Sequence, residues 1–316
     1  MIAVVFPGQG SQAPGMGREL CEANPVACDV FDRVGYSVGI DMRKLCFDSD
    51  VETLRQTENA QLALYTCGVA AHLCFEAALG SNSGKWITAF AGHSVGEYAA
   101  LAAADIFSVE EGARLVRTRG AVMARAGRER PGTMAAVLGL GREELQKACD
   151  EAGGIVVIAN DNCPGQLVIS GEVSAVERAG ELAKIAGAKR VLPLNVSGAF
   201  HSPLMEEPSR EMAVALNQVM IGAGTTPVYS NVTAEPVSDV AHWPSLLERQ
   251  LKSPVRWTET IEHLRRDGAL LFVECGWGDV LSGLIRRTDK EARVAKVADP
   301  ESLLAAVSSI DDLMAV

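Results

Sequence analysis

The chain has no CxxC pair: Cys21, Cys28, Cys46, Cys67, Cys74, Cys149, Cys163 and Cys275 fall at spacings that fit neither a zinc site nor a disulfide framework. They are expected to be reduced and mostly buried, with no metal. A basic excess is missing too. With 29 Lys and Arg against 40 Asp and Glu, the formal net charge is -11, which argues against general binding to nucleic acid or to an anionic membrane surface. No basic flank or cleavage pattern marks a secretory signal before Pro7. The longest apolar run, Leu62 to Phe75, includes Thr66 and His72 and reads as too short to cross a bilayer. Gly8-Gln9-Gly10 is followed by Ser11-Gln12-Ala13, so the dinucleotide-binding GxGxxG pattern fails. Repeats and low-complexity linkers are absent as well. What remains is a globular chain expected in the cytoplasm, whose 316 residues, 48% apolar and 22% charged, can bury a large core.

The chain is organised around Ala89 to Leu101, where an apolar run is broken by Gly92-His93-Ser94-Val95-Gly96 and resumes as Ala-rich helix. A serine between two glycines on a strand-to-helix turn is pushed outward at the helix N-terminus, which suits a nucleophile. The free amides there suit an oxyanion. GxSxG alone also fits a plain Gly-Ser turn leading into a core helix. Met1 to Phe6 reads as a strand covered on both faces, and places Gln9 just past its carboxyl end, where ligands sit in open α/β sheets.

Helical texture runs from Arg18 to about Leu79, then Gly80 to Gly84 reads as a loop before the strand Trp86 to Ala91. His72 reads as a satisfied core histidine. Ser108 and Glu111 form a capping box for a helix carrying Arg114, Arg117 and Arg119. Arg119 points away from the other two, either gripping a carboxylate at the sheet top or resting as a surface charge. Residues 127–196 alternate short strands and helices in the βαββαβ order of a ferredoxin-like domain, which reads as an insertion. His201 follows it directly, in a loop before Pro203. Of five histidines it is the base by elimination, against a loop histidine without a chemical role.

Seven motifs occur in order: FPGQGSQ from Phe6, GHSVGE from Gly92, TRG around Arg119, ANDNCPGQ from Ala159, AFHSPLM from Ala199, SNVT from Ser230 and QLKSPVRW from Gln250. Together they resemble the malonyl-CoA:acyl carrier protein transacylase family over nearly the whole chain. The resemblance implies an α/β-hydrolase-like large domain, over 1–126 and 197–316, with the ferredoxin-like small domain, 127–196, inserted. It implies an acyltransferase of fatty acid biosynthesis that moves malonyl from malonyl-CoA to the phosphopantetheine thiol of holo acyl carrier protein. By position, Ser94 is the nucleophile and His201 the base. The Gln9 and Val95 amides would form the oxyanion hole, the Gln250 carbonyl would orient His201, and Arg119 would hold the malonyl carboxylate. Phe200 would crowd a branched acyl group, and Asn160 would help shape the site. No cofactor is implied beyond malonyl-CoA as substrate, and the enzyme is expected to be freestanding and monomeric. A basic patch at the cleft rim, drawn from Lys184, Lys189, Arg190, Arg286 and Arg287, is expected to meet the acidic carrier. Asp161 and Trp277 depart from the family pattern, where an aromatic residue and proline are common. The alternatives are a trans-acting polyketide acyltransferase, an editing thioester hydrolase with the same Ser94 and His201 and no need of Arg119, or a non-catalytic docking subunit.

Overall fold

A computed structural model describes residues 1–224 and 226–314. Its strands, in chain order, are β1 (Ile2–Phe6), β2 (Ile87–Gly92), β3 (Thr133–Leu138), β4 (Val156–Cys163), β5 (Gln166–Gly171), β6 (Arg190–Pro193), β7 (Val228–Tyr229), β8 (Val255–Arg256), β9 (Leu271–Cys275) and β10 (Arg293–Val297). The first sheet runs β10-β9-β1-β2-β7 and is parallel throughout. β1 is central and every one of its residues is buried, as its unbroken apolar run requires when helices cover both faces. β10 was not foreseen in the sequence. Only Val297 in it is buried, so its hydrophobic signal is that of an edge strand.

Parallel register sets Phe6 beside Gly92, so β1 and β2 end together. The loops after them, with Gln9 on one and Ser94 on the other, therefore leave the same edge of the sheet. That is the edge at which open parallel sheets bind ligands.

The second sheet runs β6-β3-β5-β4-β8. Its first four strands are antiparallel neighbours and, with helices Arg142–Ala152 and Val173–Ile185, follow the order βαββαβ. The fifth strand comes from outside residues 127–196: β8 pairs parallel to β4, with Asn160 opposite Val255. This pairing anchors the chain just after Gln250 to the sheet that carries Asn160. The fold is thus an α/β-hydrolase-like parallel-sheet body with a ferredoxin-like unit inserted.

The helix Thr57–Leu79 runs through the core and is buried nearly all round from Thr57 to Phe75. At 23 residues it is longer than the apolar run Leu62 to Phe75 suggested, and by length and composition it is able to cross a membrane. Here it packs inside the protein, where an all-round apolar helix belongs. His72 on this helix is fully buried, as expected, but its two ring nitrogens have no partner. It lies edge-on to Phe6 and Phe90, and burial pushes its pKa down to about 4, so it stays neutral. Gly80 to Trp86, expected to begin as an open loop, forms a short 3₁₀ turn and one helical turn.

Candidate active site

The elbow around Ser94 is built by close backbone packing. A Cβ on Gly92 would stand 2.0 Å from the Gly96 carbonyl, and one on Gly96 would stand 2.2 Å from the Phe6 oxygen. Only glycine fits either place. Ser94 itself has φ +52°, a left-handed conformation that costs a non-glycine residue about 1–3 kcal/mol. Asn231 holds it there: its Oδ1 accepts the Ser94 amide at 2.7 Å and its Nδ2 donates to the Gly92 carbonyl at 2.6 Å.

His201 is brought to the elbow from 107 residues away, and its Nε2 lies 2.8 Å from Ser94 Oγ. It too has positive φ, +56°. Its Nδ1 lies 2.9 Å from the Gln250 carbonyl and 3.2 Å from that of Ser253. Carbonyls only accept, so Nδ1 carries the proton and Nε2 is left to accept from the serine hydroxyl. Burial, followed by the charge of Arg119, pushes the His201 pKa down to about 3. The imidazole is therefore a neutral base at ordinary pH.

Arg119 reaches the same place from the helix Val109–Glu129 and is only 1% exposed, whereas Arg114 and Arg117 are exposed. Its Nη1 donates to Gln61 Oε1 at 2.7 Å. Its Nη2 donates to Ser94 Oγ at 3.1 Å and to Gln250 Oε1 at 3.0 Å. The guanidinium lies over the Tyr98 ring, 5.6 Å from its centroid. Its Nε has no partner, and burial lowers its pKa. Among the described residues it makes no ion pair. A buried cation with spare donors at a reactive oxygen is a seat for an anion carried by the ligand.

These groups line a cleft of about 380 Å³ between the two sheets, with Gln9, Val95, Asn160 and Phe200 in its wall. Among the described residues the Gln9 and Val95 amides donate to no protein acceptor. Of the expected rim cations, Lys184, Lys189, Arg190, Arg286 and Arg287, none lines the cleft; Arg55 does. β6, which begins at Arg190, does lead directly into Leu194, Asn195 and Val196 of the cleft wall. Asp161 accepts from Thr258 at 2.6 Å and from Arg142 at 3.0 Å.

Four polar residues were not assigned roles in the sequence. Asn231 and Glu97 lie inside the SNVT and GHSVGE motifs, so the letters were in view but their partners were not. Gln61 is a polar residue at the start of an apolar helix, a signal that a buried partner exists. Asn162, whose Oδ1 lies 2.9 Å from His93 Nε2, gave no separate signal. Its bond turns His93 away from the serine proton.

The acyl transferase domain family matches residues 3–304. A malonyl CoA-acyl carrier protein transacylase of Bacillus subtilis (strain 168) is 42% identical over 314 residues, covering 98% of each chain. The crystal structure of an acyl-carrier-protein-S-malonyltransferase from Bartonella henselae superposes with TM-score 0.94 at 41% identity, over 98% of this chain and 99% of that one. A malonyl-transacylase solved in complex with a holo type II polyketide synthase acyl-carrier protein gives TM-score 0.92 at 39% identity, over 98% and 99%.

Proposed function

The chain belongs to the acyl transferase domain family, among the malonyl-CoA:acyl carrier protein transacylases, and from that premise we propose that it transfers malonyl from malonyl-CoA to a holo carrier protein in fatty acid biosynthesis. The observation that carries the substrate choice is the buried Arg119 guanidinium, 3.1 Å from Ser94 Oγ and with no ion pair among the described residues. A half-ester of a dicarboxylic acid brings one carbonyl for the serine and one carboxylate for the arginine. A charge-assisted hydrogen bond of this kind contributes roughly 1.5–3 kcal/mol.

Ser94 Oγ attacks the malonyl thioester carbonyl while its proton passes to His201 Nε2. The oxyanion is held by the unpaired Gln9 and Val95 amides. Collapse breaks the C–S bond, and His201 returns the proton to the departing coenzyme A thiolate. The malonyl ester on Ser94 is then attacked by the carrier's phosphopantetheine thiol, whose proton His201 takes. Breakdown of the second tetrahedral intermediate frees Ser94, which recovers the proton. The Gln250 and Ser253 carbonyls hold the imidazole in one tautomer throughout, the part an acidic residue plays in a triad. Thioester for thioester is nearly isoenergetic, so the exchange asks for no cofactor and no metal. Phe200 limits the room beside the acyl C2, and Asn160 shapes the wall opposite. The enzyme works as a monomer that meets its carrier transiently. Free thiols at all eight cysteines suit a reducing cytoplasm.

The test is a transfer assay with radiolabelled malonyl-CoA and holo carrier. Label accumulating on the carrier supports the reading; label released as free malonate at the same rate makes the protein a hydrolase, and no turnover overturns both.

A further inference from the structure

Glu97 is the first acidic residue after the nucleophile, in the first turn of the elbow helix, and it is wholly buried. Each carboxylate oxygen accepts one close hydrogen bond. Oε1 takes the main-chain amide of Asn231 at 2.6 Å, and Oε2 takes Gln250 Nε2 at 2.6 Å. Both partners touch the reacting pair. Asn231 clamps the Ser94 amide through its side chain. Gln250 accepts from His201 through its main-chain carbonyl, accepts from Arg119 through Oε1, and donates to the Ser94 carbonyl at 2.9 Å through Nε2.

We infer that Glu97 is a positioning residue of the transfer reaction, fixing His201 and Arg119 through Gln250 and the strained Ser94 turn through Asn231. The inference rests on the roles given to Ser94 and His201 above. The hydrogen-bond inventory makes the dependence specific. The Gln250 amide nitrogen sits between two acceptors, Glu97 Oε2 and the Ser94 carbonyl, while its oxygen faces a donor of Arg119. Turning this amide over would set oxygen against the Ser94 carbonyl and nitrogen against the guanidinium. One orientation alone is satisfied, and the acceptor on Glu97 favours it. A glutamine at position 97 has a single acceptor for two donors. Whichever way it turns, its own NH₂ faces either the Asn231 amide or Gln250 Nε2, leaving a buried donor without a partner. The nearly isosteric change therefore breaks one contact without opening a cavity.

The experiment compares wild type, E97Q and E97D, each checked for native circular dichroism, in two reactions. One is steady-state transfer from malonyl-CoA to holo carrier. The other is labelling of Ser94 by an uncharged fluorophosphonate, which needs the serine and its base but brings no carboxylate for Arg119 to hold. The expected result is a loss of about ten- to a hundredfold in kcat and in the labelling rate for E97Q, with KM for malonyl-CoA moving far less. E97D keeps the carboxyl group but is one methylene short of spanning both partners, and is expected to lose rate in the same direction. A folded E97Q or E97D with wild-type kcat and labelling, or a defect confined to KM, overturns the inference. Wild type that is labelled by fluorophosphonate but transfers nothing from malonyl-CoA would instead overturn the proposed substrate, leaving the Glu97 comparison to be read from labelling.

Discussion

Arg119 Nη2 donates to Ser94 Oγ at 3.1 Å while His201 Nε2 lies 2.8 Å from the same oxygen. The Ser94 hydroxyl is thus held between a fixed cation and a neutral imidazole. In the proposed reaction the cation acts twice, on the serine oxygen before the substrate arrives and on the carboxylate once it is bound.

Arg119→Ala should therefore cost malonyl-CoA far more than a neutral thioester. We expect kcat/KM for malonyl-CoA to fall about ten- to a hundredfold or more, with acetyl-CoA affected much less. Equal losses for both substrates, measured side by side, would separate Arg119 from acyl selection.

The pH profile follows from the His201 environment. Its pKa, depressed to about 3 by burial and by Arg119, keeps Nε2 unprotonated, so acid should not remove the base until well below the ordinary histidine value of 6.5. Fluorophosphonate labelling of the free enzyme should stay level as pH falls through 6.5 and decline only far below it. A bound malonyl carboxylate offsets the Arg119 charge, so the acid limb of kcat should lie at higher pH than that of kcat/KM. A labelling rate that halves near 6.5 would contradict the buried, neutral imidazole.

Much of this site was readable in advance, because the elbow and base sit in local motifs with their own stereochemistry. The strand β1, the serine turn with its glycines, and the capping box at Ser108 each announce themselves within a few residues. The βαββαβ run does so by alternation. What stayed hidden is non-local. Helical spacing sets Arg119 apart from Arg114 and Arg117, but not that it meets Gln61, and nothing local says that β8 joins the inserted sheet beside β4. β10 escaped because an edge strand with one buried residue has almost no periodicity to read. The roles of Asn231 and Glu97 depend on contacts spanning 134 to 139 residues.

Glycine substitutions test the elbow directly. Gly92→Ala, whose Cβ would fall 2.0 Å from the Gly96 carbonyl, should lower stability by about 2–4 kcal/mol and abolish Ser94 labelling. Gly283→Ala is the control: exposed, helical and with nothing within 4 Å, it should be neutral or stabilise by up to about 1 kcal/mol. Urea midpoints check both, and equal midpoints would remove the steric account of the turn.

Lys189 and Arg190 are exposed at the start of β6, the strand whose far end leads into the cleft wall. Reversing both charges should raise KM for the acidic carrier and leave acylation by malonyl-CoA unchanged. An unchanged carrier KM would move the docking surface elsewhere, with Arg55 at the cleft as the next residue to reverse.

The most direct measurement is to quench the enzyme after brief exposure to malonyl-CoA and map the adduct by peptide mass spectrometry, with and without a chase of holo carrier. The expected result is malonyl on the peptide containing Ser94, absent in S94A and discharged to the carrier thiol during the chase. Malonyl on another residue, or an adduct in wild type that the carrier never removes, would contradict the account.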